Sequence, residues 1–238
     1  MRIAMWSGPR NLSTAMMYAF AARGDTAVWD EPFYAAYLRL TGRDHPMREQ
    51  IIAAGDPDPA RVAARLTGSV PGGKPVFYQK HMTQHMVPGV PRGWMRDCTN
   101  VFLIRHPARV VASFTAKREN PDPDEIGFRL QAELFDELAE ATGAPPLVID
   151  SHDIRDDPGG TLSRFCARMG LDYTPAMLTW PAGGHPDDGV WAAHWYGAVH
   201  RSTGFAGAEG PLPEFSGAAA RMAETALPFY ERLAAFRI

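Results

Sequence analysis

Near the start of the chain, Ser7-Gly8-Pro9-Arg10-Asn11-Leu12-Ser13-Thr14 brings a glycine, a cation and the hydroxyls of Ser13 and Thr14 into one stretch. Those residue types suit the binding of a phosphate-like anion. The apolar run Ile3-Ala4-Met5-Trp6 precedes it and reads as a buried strand. Ala15, Met16, Met17, Tyr18 and Phe20 follow and read as a helix. Backbone N–H groups at a helix N-terminus carry partial positive charge and face an anion. The first strand–helix unit is also where open α/β sheets bind ligands. The competing reading is a capped turn, because Ser and Thr are favoured helix caps.

The stretch departs from the nucleotide loop G-x-x-x-x-G-K-[ST], in which Lys reaches the β/γ-phosphates and Ser/Thr binds Mg²⁺. It has no second glycine and no lysine; Arg10 is its cation. A second stretch supports the anion reading. In residues 99–115, TNVFLIRHPARVVASFT, the run Val101 to Ile104 is continuous and apolar, as in a central parallel strand. Arg105 stands at its C-terminal end, and Pro107 occupies a favoured first helical position. Ser113 follows on that helix, eight residues after Arg105.

With both stretches in view, the chain resembles the PAPS-dependent sulfotransferases. Pro9-Arg10-Asn11-Leu12-Ser13-Thr14 is similar to that family's 5′-phosphosulfate loop, P-K-S-G-T-T, with Arg10 for its Lys. Arg105-His106-Pro107-Ala108-Arg109-Val110-Val111-Ala112-Ser113 resembles its 3′-phosphate motif, R-[DN]-P-R-D-x-x-x-S, with Arg and Ser both present. Residues 150–171, DSHDIRDDPGGTLSRFCARMGL, are similar to the segment after the last core strand. Order and spacing fit across most of the chain.

Strands are expected at 2–7, 27–30, 75–80, 101–105 and 147–150, and helices at 13–23, 107–118, 124–142 and 161–169. A final Ala-rich helix at 217–236 contains Pro228 as a kink or break. This alternation predicts a three-layer α/β/α fold of P-loop type, with a parallel sheet of about five strands, as one domain over residues 1–238. The net charge of −3 offers no polybasic surface for nucleic acid or membrane. No apolar run reaches membrane-spanning length. The two cysteines, Cys98 and Cys166, form neither a metal spacing nor a disulfide framework. No signal peptide is evident, so a cytoplasmic protein is expected. No oligomeric state is implied.

Three further groups could do chemistry. His81 follows the third strand, and Gln79-Lys80-His81-Met82 is similar to the family's K-T-H-L-P with Lys shifted by one, which implies a catalytic base at His81 beside the cation Lys80. A histidine suits that task because its pKa lies near working pH. Glu31 ends the second strand, where some bacterial sulfotransferases place a glutamate base. Arg201 with Gly204 loosely resembles the family's C-terminal R-K-G, which touches the 3′-phosphate and adenine. Trp191, Trp195, Tyr196 and Phe205 either line an acceptor pocket or fill the core.

The resemblance therefore implies PAPS as co-substrate, with no metal and a small-molecule acceptor. Gly8 to Thr14 would hold the 5′ side, Arg105, Ser113 and Arg201 the 3′ side, and His81 or Glu31 would take the acceptor's proton. A small-molecule kinase on a P-loop scaffold and a non-catalytic nucleotide-binding protein on the same fold are the alternatives.

Overall fold

Each of the five apolar runs forms a strand, and all pair in parallel in the order β2-β3-β1-β4-β5. The computed structural model describes residues 1–115 and 123–238. In chain order, β1 (Arg2–Ser7) leads to α1 (Ser13–Ala21) and β2 (Thr26–Asp30). Three helices, α2 (Tyr34–Thr41), α3 (Arg48–Ala54) and α4 (Pro59–Thr67), precede β3 (Val76–Met82). The chain then forms β4 (Thr99–Ile104), α5 (Pro107–Thr115), α6 (Phe128–Thr142) and β5 (Leu147–Asp150). It ends with α7 (Ser151–Asp156), α8 (Pro158–Met169), the short α9 (Ala192–Trp195) and α10 (Gly197–His200), and α11 (Gly217–Ala234).

Several ends differ from expectation by one to four residues, and one of them matters for the site. β3 runs on to Met82. The helix after Arg105 is described to Thr115, so positions 116–118 of the expected helix lie outside the described residues. The last helix runs through Pro228 without breaking.

Strand side chains alternate between the two faces of the sheet. Ile3 and Met5 pack against α1 and α8, through Met16, Phe20, Leu162 and Phe165. Ala4 and Trp6 pack on the opposite face with α4, α6 and α11, through Leu66, Phe135 and Leu233. Burial on both faces is why these strands read as unbroken apolar runs. Among the described residues no helix is long and apolar enough to cross a membrane.

From β1 the chain moves to one side of the sheet, and from β4 to the other. β1 and β4 are neighbours. Their loops therefore part at a topological switch point, which opens a crevice beyond the strands' C-terminal ends. Residues 8–12 and Arg105 emerge there.

Candidate active site

The crevice holds a cavity of about 320 Å³. Residues 9–15 form one wall. Arg10 (φ 65°) and Leu12 (φ 72°) both adopt the left-handed region, although neither is glycine. Left-handed residues alternating with extended or helical ones turn successive N–H groups toward one concavity. Leu12 is the N-cap of α1 and makes no side-chain cap. Neither Ser13 nor Thr14 is therefore the cap of this helix, and among the described residues its N-cap supplies no side-chain acceptor to the first N–H groups. Gly8 is required by a close approach, since a Cβ there would sit 2.6 Å from the Ile126 carbonyl oxygen. Asn11 is buried and donates to the Leu103 carbonyl oxygen (3.3 Å), tying the loop to β4.

The two anion motifs meet at this wall. Arg10 Nε donates to Ser113 Oγ at 2.8 Å, and Arg105 Nη1 donates to the Arg10 carbonyl oxygen at 2.6 Å. Burial, and secondly the charge of Arg105, lower the Arg10 pKa. Arg105 Nε is buried and has no acceptor among the described residues. Like charges packed together with an unused donor are the mark of a site arranged for an anion.

The other end of the cavity is built around Lys80. Alternation along β3 sends its ammonium to the cavity side, where Nζ donates to Asp30 Oδ1 (2.8 Å) and Glu31 Oε1 (2.7 Å). Tyr196, from the turn between α9 and α10, joins them. Its hydroxyl lies 2.9 Å from both Asp30 carboxylate oxygens and 3.1 Å from Glu31 Oε1, and it accepts from Trp191 Nε1 at 3.0 Å. Burial, then the charges of Asp30 and Glu31, push the Tyr196 phenol far up, so it stays protonated and donates. Burial by itself lowers the Lys80 pKa, but the two carboxylates outweigh it and hold Lys80 above its ordinary value. Burial pushes Asp30 up against the pull of Lys80. Glu31 itself has φ 41°. Three of the four non-glycine left-handed residues described, Arg10, Leu12 and Glu31, thus line one cavity. Such strain persists where surrounding structure enforces it, and it gathers at functional sites.

The sulfotransferase domain family matches residues 1–237. This chain belongs to that family. The chain is 37% and 34% identical to branched-chain-amino-acid aminotransferase-like proteins 1 and 2 of Arabidopsis thaliana, over 97% of its own length. It spans only 41% of the length of each. The sulfotransferase domain of the Synechococcus PCC 7002 olefin synthase shares the fold, with a TM-score of 0.50 at 18% identity, over 94% of this chain and 93% of that one. The sulfotransferase domain from the curacin biosynthetic pathway does so with a TM-score of 0.51 at 14% identity, over 94% and 96%.

Within this sulfotransferase domain, Pro9 to Thr14, Glu31, Lys80, Arg105 and Ser113 all line the cavity. His81 and Arg201 do not. Because β3 continues to Met82, His81 lies inside the strand rather than after it, paired in register with Trp6. Alternation then turns it to the opposite sheet face from Lys80. It is buried there, stacked on the Trp6 ring at 4.6 Å and tilted against Trp94 at 5.0 Å. Arg201 is exposed, while its neighbours Ser202 and Gly204 reach the cavity.

The sequence reading missed Tyr34, Tyr37 and His85. The His85 ring lies 4.6 and 4.7 Å from the two tyrosine rings, which are 6.4 Å from each other, and its Nε2 is 3.9 Å from Glu31 Oε2. The available signal was Tyr34 and Tyr37 at i,i+3 spacing, which puts both on one helix face. Trp195, Tyr196 and Phe205 line the cavity, whereas Trp191 supports Tyr196.

The two buried histidines make the fold acid-sensitive. Burial, aided by the charge of His85, lowers the His81 pKa from 6.5 to about 3, and burial lowers His85 well below 6.5. The unfolded chain takes up protons below pH 6.5. The folded chain does not, so stability is complete above that pH and is lost as pH falls toward 3. Each such histidine should contribute about 1.4 kcal/mol per pH unit. Urea unfolding of His81→Phe between pH 6 and pH 4 should show a slope shallower than the parent's by about that amount. An unchanged slope would mean that His81 already reaches water in the folded protein.

Proposed function

We propose that this protein transfers a sulfuryl group from PAPS to a hydroxyl or amine of a small-molecule acceptor. The observation that carries the reading is the joining of the Arg10 loop to Arg105 and Ser113 at one end of a cavity whose other end presents Glu31 on Lys80. The donor set suits the ligand. The loop of residues 8–14, with Arg10 and the uncapped N–H groups of α1, fits the 5′-phosphosulfate. Arg105, with its buried Nε lacking an acceptor, fits a phosphate monoester together with Ser113. Arg201, outside the cavity, takes no part in this scheme.

The acceptor would lie among Tyr34, Tyr37 and Trp195. Its oxygen or nitrogen attacks sulfur, the bond from sulfur to the bridging phosphate oxygen breaks, and PAP leaves with that electron pair. The proton passes to Glu31, the base in place of His81. Arg10 and the loop N–H groups stabilise charge growing on the leaving oxygen. Lys80 holds Glu31 in place through its bond to Oε1.

Calorimetry with a nucleotide panel tests the reading. PAP should bind without Mg²⁺ and about 10–100-fold more tightly than AMP, the value of charge-assisted bonds to one phosphate. Arg105→Ala should remove most of that preference. Equal affinity for PAP and AMP would sink the proposal, and binding of ATP only with Mg²⁺ would turn it toward a small-molecule kinase. Binding of none of these would leave a non-catalytic fold.

A further inference from the structure

Between α10 and α11, residues 205–216 form neither helix nor strand, and 206–208 and 210–212 are exposed. Glu209 is the exception, with a side chain only 3% exposed. It is enclosed by three guanidinium groups, from Arg105 just after β4, Arg109 on α5 and Arg155 on α7. Oε1 accepts from Arg105 Nη2 and from Arg155 Nη1, the latter at 2.6 Å, while Oε2 lies 3.0 Å from Arg109 Nε. The same arginines grip the flanking backbone. Arg155 Nε donates to the Gly207 carbonyl oxygen at 2.9 Å, and Arg109 Nη2 donates to the Gly210 carbonyl oxygen. The segment is thus a strap fastened through one carboxylate.

The carboxylate fills this position incompletely. One negative charge faces three positive ones. Glu209 Oε2 is buried without a well-aligned hydrogen bond, and Arg105 Nε is buried without an acceptor. A phosphate monoester brings up to two charges and three terminal oxygens, and so matches the donors better than a carboxylate does. Burial opposes ionisation of Glu209, but the bond from Arg105 and the charges of Arg105, Arg155 and Arg109 outweigh it and hold the carboxyl below its usual range.

We infer that Arg105, Arg109 and Arg155 form an anion subsite whose resident occupant is Glu209, and that a ligand's phosphate monoester takes this place and releases the strap. The inference rests on the donor assignment above, which puts the 3′-phosphate at Arg105. It adds a specificity device. A nucleotide without that phosphate gains nothing by opening the strap, whereas one carrying it exchanges a poorer anion for a better one. Ligand affinity is reduced by the fraction of time the strap is closed.

Two measurements on the full chain test this. Glu209→Gln should bind inorganic phosphate at least about tenfold more tightly than the parent, because the competing charge is gone. Limited proteolysis of the parent, mapped by mass spectrometry, needs no variant. Saturating PAP or inorganic phosphate should accelerate cleavage within 206–212 about tenfold, the reverse of ordinary ligand protection, and AMP should not. Phosphate affinity in Glu209→Gln no tighter than the parent's, or strap cleavage that saturating inorganic phosphate leaves unchanged or slows, overturns the inference. If Glu209→Gln gains phosphate affinity while PAP and AMP bind equally, the strap stands and the PAPS reading falls.

Discussion

Replacing Lys80 by methionine is expected to destabilise the fold by about 3–5 kcal/mol, the range for breaking a buried ion pair from one side. Lys80 is 1% exposed and serves two carboxylates that are themselves buried. Methionine matches the length of the stem but leaves Asp30 and Glu31 adjacent, desolvated and without a counter-charge. Tyr196 and the Gly189 N–H still reach Asp30, at 2.9 and 3.2 Å, but neither carries charge. The cost arises from stranded charge rather than lost volume, so a second substitution should repair it. Lys80→Met with Asp30→Asn should recover roughly half of the loss or more, a coupling that only neighbours show. Urea unfolding at pH 7 measures both. A single-variant loss below about 1 kcal/mol, the worth of an exposed pair, would mean that water reaches the cluster.

The fold was legible because its parallel strands are buried on both faces, which writes each as a short apolar run. Ile3 to Trp6 and Val101 to Ile104 need no partner information to be read as strands. The end of β3 was not legible, because after the polar Gln79 and Lys80 the equally polar His81 carries no apolar signal that the strand continues. What buries those side chains is the partner each finds: Leu66 for Gln79, the carboxylates for Lys80, and the Trp6 ring for His81. A shift of two residues in that boundary reverses the roles of Lys80 and His81 in the site. The anion motifs were legible because each lies within one short segment. The acceptor end was not, since Glu31, Lys80, His85 and Tyr196 come from separate segments and no local spacing records that they meet. Glu209 left no signal at all; an acidic residue between Ala208 and Gly210 reads as an exposed turn.

Glu31→Gln is expected to lower sulfuryl transfer by roughly 10²–10⁴-fold while leaving PAP affinity within about twofold, the loss typical of removing a positioned general base. Glutamine keeps the size and can still accept from Lys80, so the Lys80 cluster should persist. What disappears is the capacity to take a proton. Glu31 is suited to that role by three features of the fold. It directly follows β2 at the ligand side of the sheet, its backbone is held at φ 41° by bonds to Lys80 and Tyr34, and its Oε1 is fixed by Lys80 and Tyr196. Its Oε2 lies 3.9 Å from His85 Nε2, and Glu31 lines the cavity. The measurement is PAP release from PAPS across a panel of hydroxyl and amine acceptors, with calorimetry of PAP beside it. His81→Phe should keep the parent's turnover, because its ring faces the Trp6 side of the sheet. If Glu31→Gln stays fully active while His81→Phe does not, the base has been assigned to the wrong strand. Full activity in both would mean that the acceptor loses its proton to water, and the cluster at Lys80 would then serve only to bind.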